Sequence, residues 1–223
     1  MTSATPFAAA FVERHPFGHL AAVHLPAGLD PVPVEVLARL VPEEAAHAAG
    51  LRARRQIEWT GGRLALRLAA AAAGVALPAV LPGPRGEPLL PAGVQASVSH
   101  KRSIALALVA HGAATVGLDV EELEPPRPSI ARRILTEAEG AEVAALPEAA
   151  QWPAILARFA IKEAIYKAVH PHVQRYVAFS EATVALDPPA ATLALAHGEG
   201  AYLPEVELQR RGDLLLAAVR IAP

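Results

Sequence analysis

Apolar residues recur along this chain with two different periods, and each change of period marks an element boundary. Between residue 33 and about residue 73 the spacing is helical. Leu64, Leu68 and Ala72 fall on one face with arginines opposite, and Pro42-Glu43-Glu44 has the acidic make-up of a helix's first turn. Residues 78–93 are dense in proline and glycine, which sustain neither a helix nor a central strand, so they form an ordered loop or a linker. Residues 94–98, 104–109 and 115–121 then read as short strands.

The last of these alternates cleanly. Val116, Leu118 and Val120 point to one side and Gly117, Asp119 and Glu121 to the other, so two carboxylates project together. A helix is predicted at 129–135, and Thr136 with Glu139 has the make-up of a capping box opening another. A longer helix follows from about 153 to 169. The tail alternates over 182–186, 191–196, 205–209 and 214–221, as a meander of antiparallel strands does. No repeat is visible in the residues themselves.

Composition narrows the function classes. With 223 residues, 53% of them hydrophobic, the chain can build one large or two small cores. Arg67 and Gly74 interrupt the alanine-rich stretch at 64–77, so no membrane span is expected. The first residues lack the basic start of a secretory leader, which points to the cytoplasm. Without cysteine there is no disulfide and no thiolate zinc site, so a metal would need oxygen or imidazole ligands, which favours hard cations. A net charge of −2 gives no general attraction to nucleic acid, yet Arg52, Arg54, Arg55, Arg63, Arg67, Arg85, Lys101 and Arg102 gather positive charge in the first half and suit a local anion site. Lysine is rare: against 17 arginines there are three, and Lys162 and Lys167 share one segment, a hint that an ammonium is needed there.

In the helix at 153–169, Leu156, Ala160, Glu163 and Lys167 follow the spacing of one face, so Glu163 and Lys167 are neighbours one turn apart. Taken alone this is an ordinary surface pair, and Asp119 with Glu121 is an ordinary solvated sheet face. Hydrolase readings fail on local chemistry. Proline and glycine in the runs around His15, His19, His170 and His172 prevent the helical presentation of a zinc site, no G-x-S-x-G elbow exists, and Gly83-Pro84-Arg85-Gly86 lacks the ending of a phosphate-binding P-loop.

Taken in order along the chain, the motifs resemble a known family. Gly117-Leu118-Asp119-Val120-Glu121 is followed some forty residues later by Phe159-Ala160-Ile161-Lys162-Glu163-Ala164-Ile165-Tyr166-Lys167-Ala168. These resemble the G-[IVL]-D-[IVA]-E strand and F-x-x-K-E-[AS]-x-[YF]-K-A helix of the Sfp-type 4'-phosphopantetheinyl transferases, closest to the enterobactin-synthetase-activating branch. Ser97-Val98-Ser99-His100, the loop Arg85 to Pro91, and the helix from Arg55 to Arg63 with its R-x-x-x-E-x-x-x-G-R character are similar to further family motifs. The resemblance covers roughly residues 40–170, and several ordered motifs together are far more specific than any one.

The resemblance implies an α+β fold of two similar, pseudo-symmetric halves, about 1–110 and 111–223, each a small antiparallel sheet packed on a long helix, with the substrate between them in a monomer. It implies transfer of phosphopantetheine from coenzyme A to a serine of an acyl or peptidyl carrier protein, typically small and acidic. Asp119, Glu121 and Glu163 would hold magnesium, with manganese as the alternative ion, and oxygen ligands suit either. Arg55, Arg63, Arg85, Ser99 and His100 would hold the nucleotide, and Lys162 would reach the pyrophosphate. Glu163 would act as base and Lys167 would assist the leaving phosphate. The stretch from Pro125 to Leu135, with Arg132 and Arg133, lies where the family tends to contact its carrier. The alternative is an inactive module that binds coenzyme A or docks a carrier protein.

Overall fold

A computed structural model of the chain describes residues 6–222; the leader-peptide reading rests partly on residues 1–5, outside that range. The chain divides after Ala113 into two compact units.

The N-terminal unit opens with a hairpin that the hydrophobic pattern does not announce. Strand β1 (Ala9–His15) turns into β2 (Gly18–His24), with His15 opposite Gly18. A side chain at Gly18, whose φ is +150°, would overlap the Val109 carbonyl. Leu20 to Val23 are buried in succession, so both faces of β2 are covered there and alternation is erased.

The expected long helical stretch is three helices: α1 (Val34–Leu37), α2 (Pro42–Ala49) and α3 (Ala53–Ala72). Pro42 can only open a helix, and Ala53 enters α3 with φ +47°, so the run breaks at both places. Strands β3 (Val94–His100) and β4 (Ile104–His111) complete an antiparallel sheet of order β1-β2-β4-β3, against which α3 packs.

Residues 78–93 are an ordered loop, not a linker. Val80 is fully buried, its N–H donates to Glu44 at 2.9 Å, and its carbonyl accepts from Arg63 Nε at 2.7 Å. Glu44, read as part of an acidic first turn, is itself buried and takes two hydrogen bonds from Arg67, at 2.8 and 2.7 Å.

In the C-terminal unit, β5 (Thr115–Glu122) leads to α4 (Ala131–Ile134), α5 (Glu137–Ala144) and α6 (Glu148–Val173). The capping box at Thr136 and Glu139 forms as expected, with bonds of 3.3 and 2.7 Å. The helix α6 runs 26 residues, longer than its motif, and ends where Gln174 turns left-handed.

The tail is not one meander. Among the described residues, strands β6 (Ala182–Leu186) and β7 (Pro189–Leu193) pair only with each other, while β8 (Pro204–Arg211) and β9 (Leu214–Ile221) join β5 in a sheet of order β5-β9-β8. The last strand thus returns to the first of its unit. Each unit is a small antiparallel sheet packed on a long helix, the α+β arrangement expected.

Candidate functional site in the strand and helix motifs

Where β5 meets α6, a missing side chain brings the backbones together. Gly117 faces the helix so closely that a Cβ there would overlap the Ala164 carbonyl oxygen and approach Ala168 N to 2.8 Å. Asp119 and Glu121 share that face, two and four residues on. They are therefore not on a solvated sheet face: Asp119 is 5% exposed and Glu121 2%. The opposite residues Val116, Leu118 and Val120 are buried as well.

Lys167 reaches back from α6 to this strand. Its Nζ donates to Asp119 Oδ1 and to the Leu118 carbonyl, both at 2.8 Å. The strand motif and the helix motif thus meet in one ion pair. Arg127 lies beside the other carboxylate, with Nη2 3.9 Å from Glu121 Oε2. Glu163 stands one turn before Lys167 on the same side of α6 and is partly exposed.

Asp119 and Glu121 are donors of the kind a hard divalent cation takes, oxygen and anionic. Asp119 Oδ2 and Glu121 Oε2 are buried atoms that accept no hydrogen bond, although each carboxylate has its cationic neighbour. Among the described residues, however, no three His, Asp or Glu side chains gather as a metal would require. The expected trio of Asp119, Glu121 and Glu163 is not drawn together in this geometry.

Lys162 departs further from expectation. It is 2% exposed, and its Nζ donates to Glu139 Oε2 at 2.7 Å, to the Ile134 carbonyl at 2.8 Å and to the Phe179 carbonyl at 3.0 Å. An ammonium has three N–H groups, and all three are engaged inside the protein, so none reaches a pyrophosphate. Burial pushes this amine's pKa down, while Glu139 opposes the shift.

The N-terminal unit gathers part of the expected anion site. Glu58 of α3 accepts from Arg54 Nε at 3.0 Å and lies 4.0 Å from Arg55 Nη1 and 3.8 Å from His100 Nδ1. Arg54 also donates to the carbonyls of Pro26, Lys101 and Arg102 at 3.1, 3.0 and 2.6 Å, so it fastens loops. The Arg55 side chain is 55% exposed and faces solvent. Ser99 is buried in β3 next to His100. Arg85 sits in an exposed turn whose backbone N–H donates to Glu87 at 2.9 Å.

Arg63 is buried, bonded to Val80 and held 4.7 Å from the Trp59 ring centre. Burial lowers its pKa to about 10; Glu44 opposes the shift, and Arg55 and Arg67 add to it.

Two acids organise these sites without appearing among the expected residues. Glu58 was legible, since R-x-x-x-E falls on Arg54 and Glu58. Glu139 was legible only as a capping residue; that it also balances Lys162, 23 positions away, has no local signal.

Family models match both units. The model of the 4'-phosphopantetheinyl transferase N-terminal domain matches residues 43–110, and that of the 4'-phosphopantetheinyl transferase superfamily matches residues 115–219. The chain belongs to the 4'-phosphopantetheinyl transferase superfamily. Among curated members, the 4'-phosphopantetheinyl transferase Svp of Streptomyces mobaraensis is 33% identical over 165 residues, 72% of this chain and 66% of that protein. The 4'-phosphopantetheinyl transferase PptT of Mycobacterium tuberculosis is 33% identical over 150 residues, 66% of this chain and 65% of that protein. The chain thus spans a little under two thirds of the curated relatives it matches.

Two solved structures of the superfamily also align in part. The holo-[acyl-carrier-protein] synthase of Thermotoga maritima gives a TM-score of 0.40 at 26% identity, over 48% of this chain and 61% of that one. The holo-(acyl-carrier-protein) synthase of Bacillus anthracis, solved in complex with CoA (3',5'-ADP), gives 0.39 at 24% identity, over 48% and 93%. Asp119, Glu121, Glu163 and Lys167 of this superfamily member lie within the match at 115–219, and Arg55, Arg63, Arg85, Ser99 and His100 within that at 43–110.

Proposed function

We propose that this chain transfers 4'-phosphopantetheine from coenzyme A to a serine of an acyl or peptidyl carrier protein and releases adenosine 3',5'-bisphosphate. Superfamily membership sets the class of reaction. The observation that carries the assignment to this chain's residues is the 2.8 Å pair between Lys167 and Asp119, which joins the two motifs at one place. The motif match favours the enterobactin-synthetase-activating branch, and a single chain that carries both halves of the fold favours a monomer.

In the step itself, the carrier serine Oγ forms a bond to the β-phosphorus, and the bond from that phosphorus to the bridging pyrophosphate oxygen breaks. The serine proton passes to Glu163 as general base. Two N–H groups of Lys167 are engaged by Asp119 and Leu118, and the third is offered to the leaving phosphate. That cation takes up charge as the bisphosphate departs, an electrostatic contribution that grows toward the transition state.

A bound magnesium or manganese ion would neutralise charge on the pyrophosphate. Asp119 and Glu121 are the donors best suited to hold it, and Glu163 would join them only by moving closer. Arg55, with its exposed guanidinium, and the neighbouring His100 are the groups we assign to the nucleotide phosphates; Arg85 is assigned with them. Arg63, buried and bonded to the Val80 carbonyl, and Ser99, buried next to His100 in β3, are assigned to the same nucleotide site.

The test is a mass spectrum of an apo carrier protein incubated with the chain, coenzyme A and magnesium. A gain of one phosphopantetheine, lost with EDTA and with Asp119→Ala, is expected. No gain on several unrelated carriers would overturn the proposal in favour of a module that binds without transferring.

A further inference from the structure

Lys162 precedes Glu163 in α6, yet it points into the interior of the C-terminal unit. Its three acceptors come from three separate segments: Ile134 closes α4, Glu139 lies in the first turn of α5, and Phe179 precedes β6. Glu139 extends the connection. Its Oε2 also accepts from Thr136 N, and its Oε1 accepts from Val184 N in β6, both at 2.7 Å. Both partners of this ion pair are 1% exposed in their side chains, so the pair has no water to replace a lost contact.

One buried cation therefore fixes α4, the start of α5 and the start of β6 against the residue next to Glu163. The stretch ending at Ile134 carries Arg132 and Arg133, both exposed, in the last turn of α4. Its own hydrogen bonds are local, from Ile130 N to the Arg127 carbonyl and from Leu135 N to the Ala131 carbonyl. The bond from Lys162 ties it to the long helix.

Resting on the transferase reading, we infer that Lys162 is a positioning residue: paired with Glu139, it sets the height of the basic Arg132–Arg133 segment against α6, so that an acidic carrier protein docked there presents its serine to Glu163. Three acceptors converging on one atom at 2.7 to 3.0 Å suit a compact ammonium better than a planar guanidinium, whose donors are spread over a fixed fork. This accounts for one of the three lysines in a chain that mostly uses arginine.

Two measurements on the full chain test this. In hydrogen exchange, Lys162→Met should speed the amides of residues 131–139 and 182–186 by about tenfold or more while those of α3 keep their rates. Unchanged exchange in 131–139 would overturn the positioning role. In transfer assays with an apo carrier protein, Lys162→Met should raise KM for the carrier about tenfold and leave KM for coenzyme A within about twofold, since misplacement of a docked partner costs at least that much. Lys162→Arg should do no better than Lys162→Met. The opposite pattern, KM for coenzyme A rising and Arg restoring it, would mean that Lys162 touches the pyrophosphate and would sink the inference.

Should Lys162→Met not fold, Glu139→Gln keeps the shape of the acid and removes its charge, and the same split is expected of it. A wild-type chain that modifies no carrier overturns the transferase reading and the docking half of this inference, whereas the exchange experiment judges the positioning half by itself.

Discussion

Lys167 Nζ lies 2.8 Å from Asp119 Oδ1, so the last cation of the helix motif is the counter-ion of the acid at the centre of the strand motif. Forty-eight residues of chain separate them. The pair forms because α6 lies directly on β5 at Gly117, which brings a long side chain within reach of the strand.

Removing the cation tests the arrangement. Lys167→Ala should lower kcat for phosphopantetheine transfer by about 10²–10³, the size seen when one preorganised electrostatic contact to a developing charge is deleted. KM for coenzyme A should change less. Steady-state rates with one carrier protein decide it, and a variant with wild-type kcat would remove Lys167 from the mechanism.

The glycine beneath the pair is equally specific. Gly117→Ala sets a methyl against the Ala164 carbonyl and Ala168 N, both backbone atoms that cannot swing aside. Overpacking of this kind costs about 1–3 kcal/mol. We expect the upper end of that range by urea denaturation, together with reduced transfer activity as Asp119 is displaced from Lys167.

Two adjacent arginines should behave differently. Arg54→Ala deprives the carbonyls of Pro26, Lys101 and Arg102 of a charged donor, and a loss of about 1.5–3 kcal/mol in stability is expected. Arg55→Ala removes an exposed side chain, so stability should stay within about 0.5 kcal/mol. It should nevertheless weaken coenzyme A binding by about tenfold, through loss of a phosphate contact. Calorimetry of both variants separates the two roles.

Acid should loosen the end of the C-terminal unit. Arg175 donates to both oxygens of Glu181, at 3.0 and 2.6 Å, and to Glu199, and the Arg175 bonds are the main reason that each carboxyl is held down to about 2. A folded-state value below the unfolded one means that the folded chain binds fewer protons, so this stabilisation is complete above about pH 4.5 and is lost as pH falls toward 2. Arg175→Ala should flatten the fall in stability across that window. Denaturation midpoints at pH 6 and pH 3 give the comparison, and an equal fall in both proteins would contradict it.

Local chemistry made much of this molecule legible from its residues. The capping box at Thr136 and Glu139 formed as written, and the alternation of β5 put Asp119 and Glu121 on one face, because both depend on near neighbours in sequence. The hairpin of β1 and β2 was invisible because Leu20 to Val23 are buried in succession, on both faces of β2, leaving no alternation to detect there. The site failed to read for a related reason. A lysine in a phosphate-binding motif and a lysine in a buried ion pair look alike until the chain folds, and only the positions of Ile134, Glu139 and Phe179 assign Lys162 to the second kind.

The close approaches at glycine also mark out where the protein can be made more heat-resistant. Replacing helical or strand glycines by alanine is a routine way to raise a melting temperature, but Gly61 lies against Leu25 and Gly117 against the helix backbone, so both are closed to it. Gly140 in α5 is open: apart from its chain neighbours and its own helix backbone nothing comes within 4 Å of an added methyl, and there an alanine should gain about 0.5–1 kcal/mol from helix propensity and a stiffer unfolded chain.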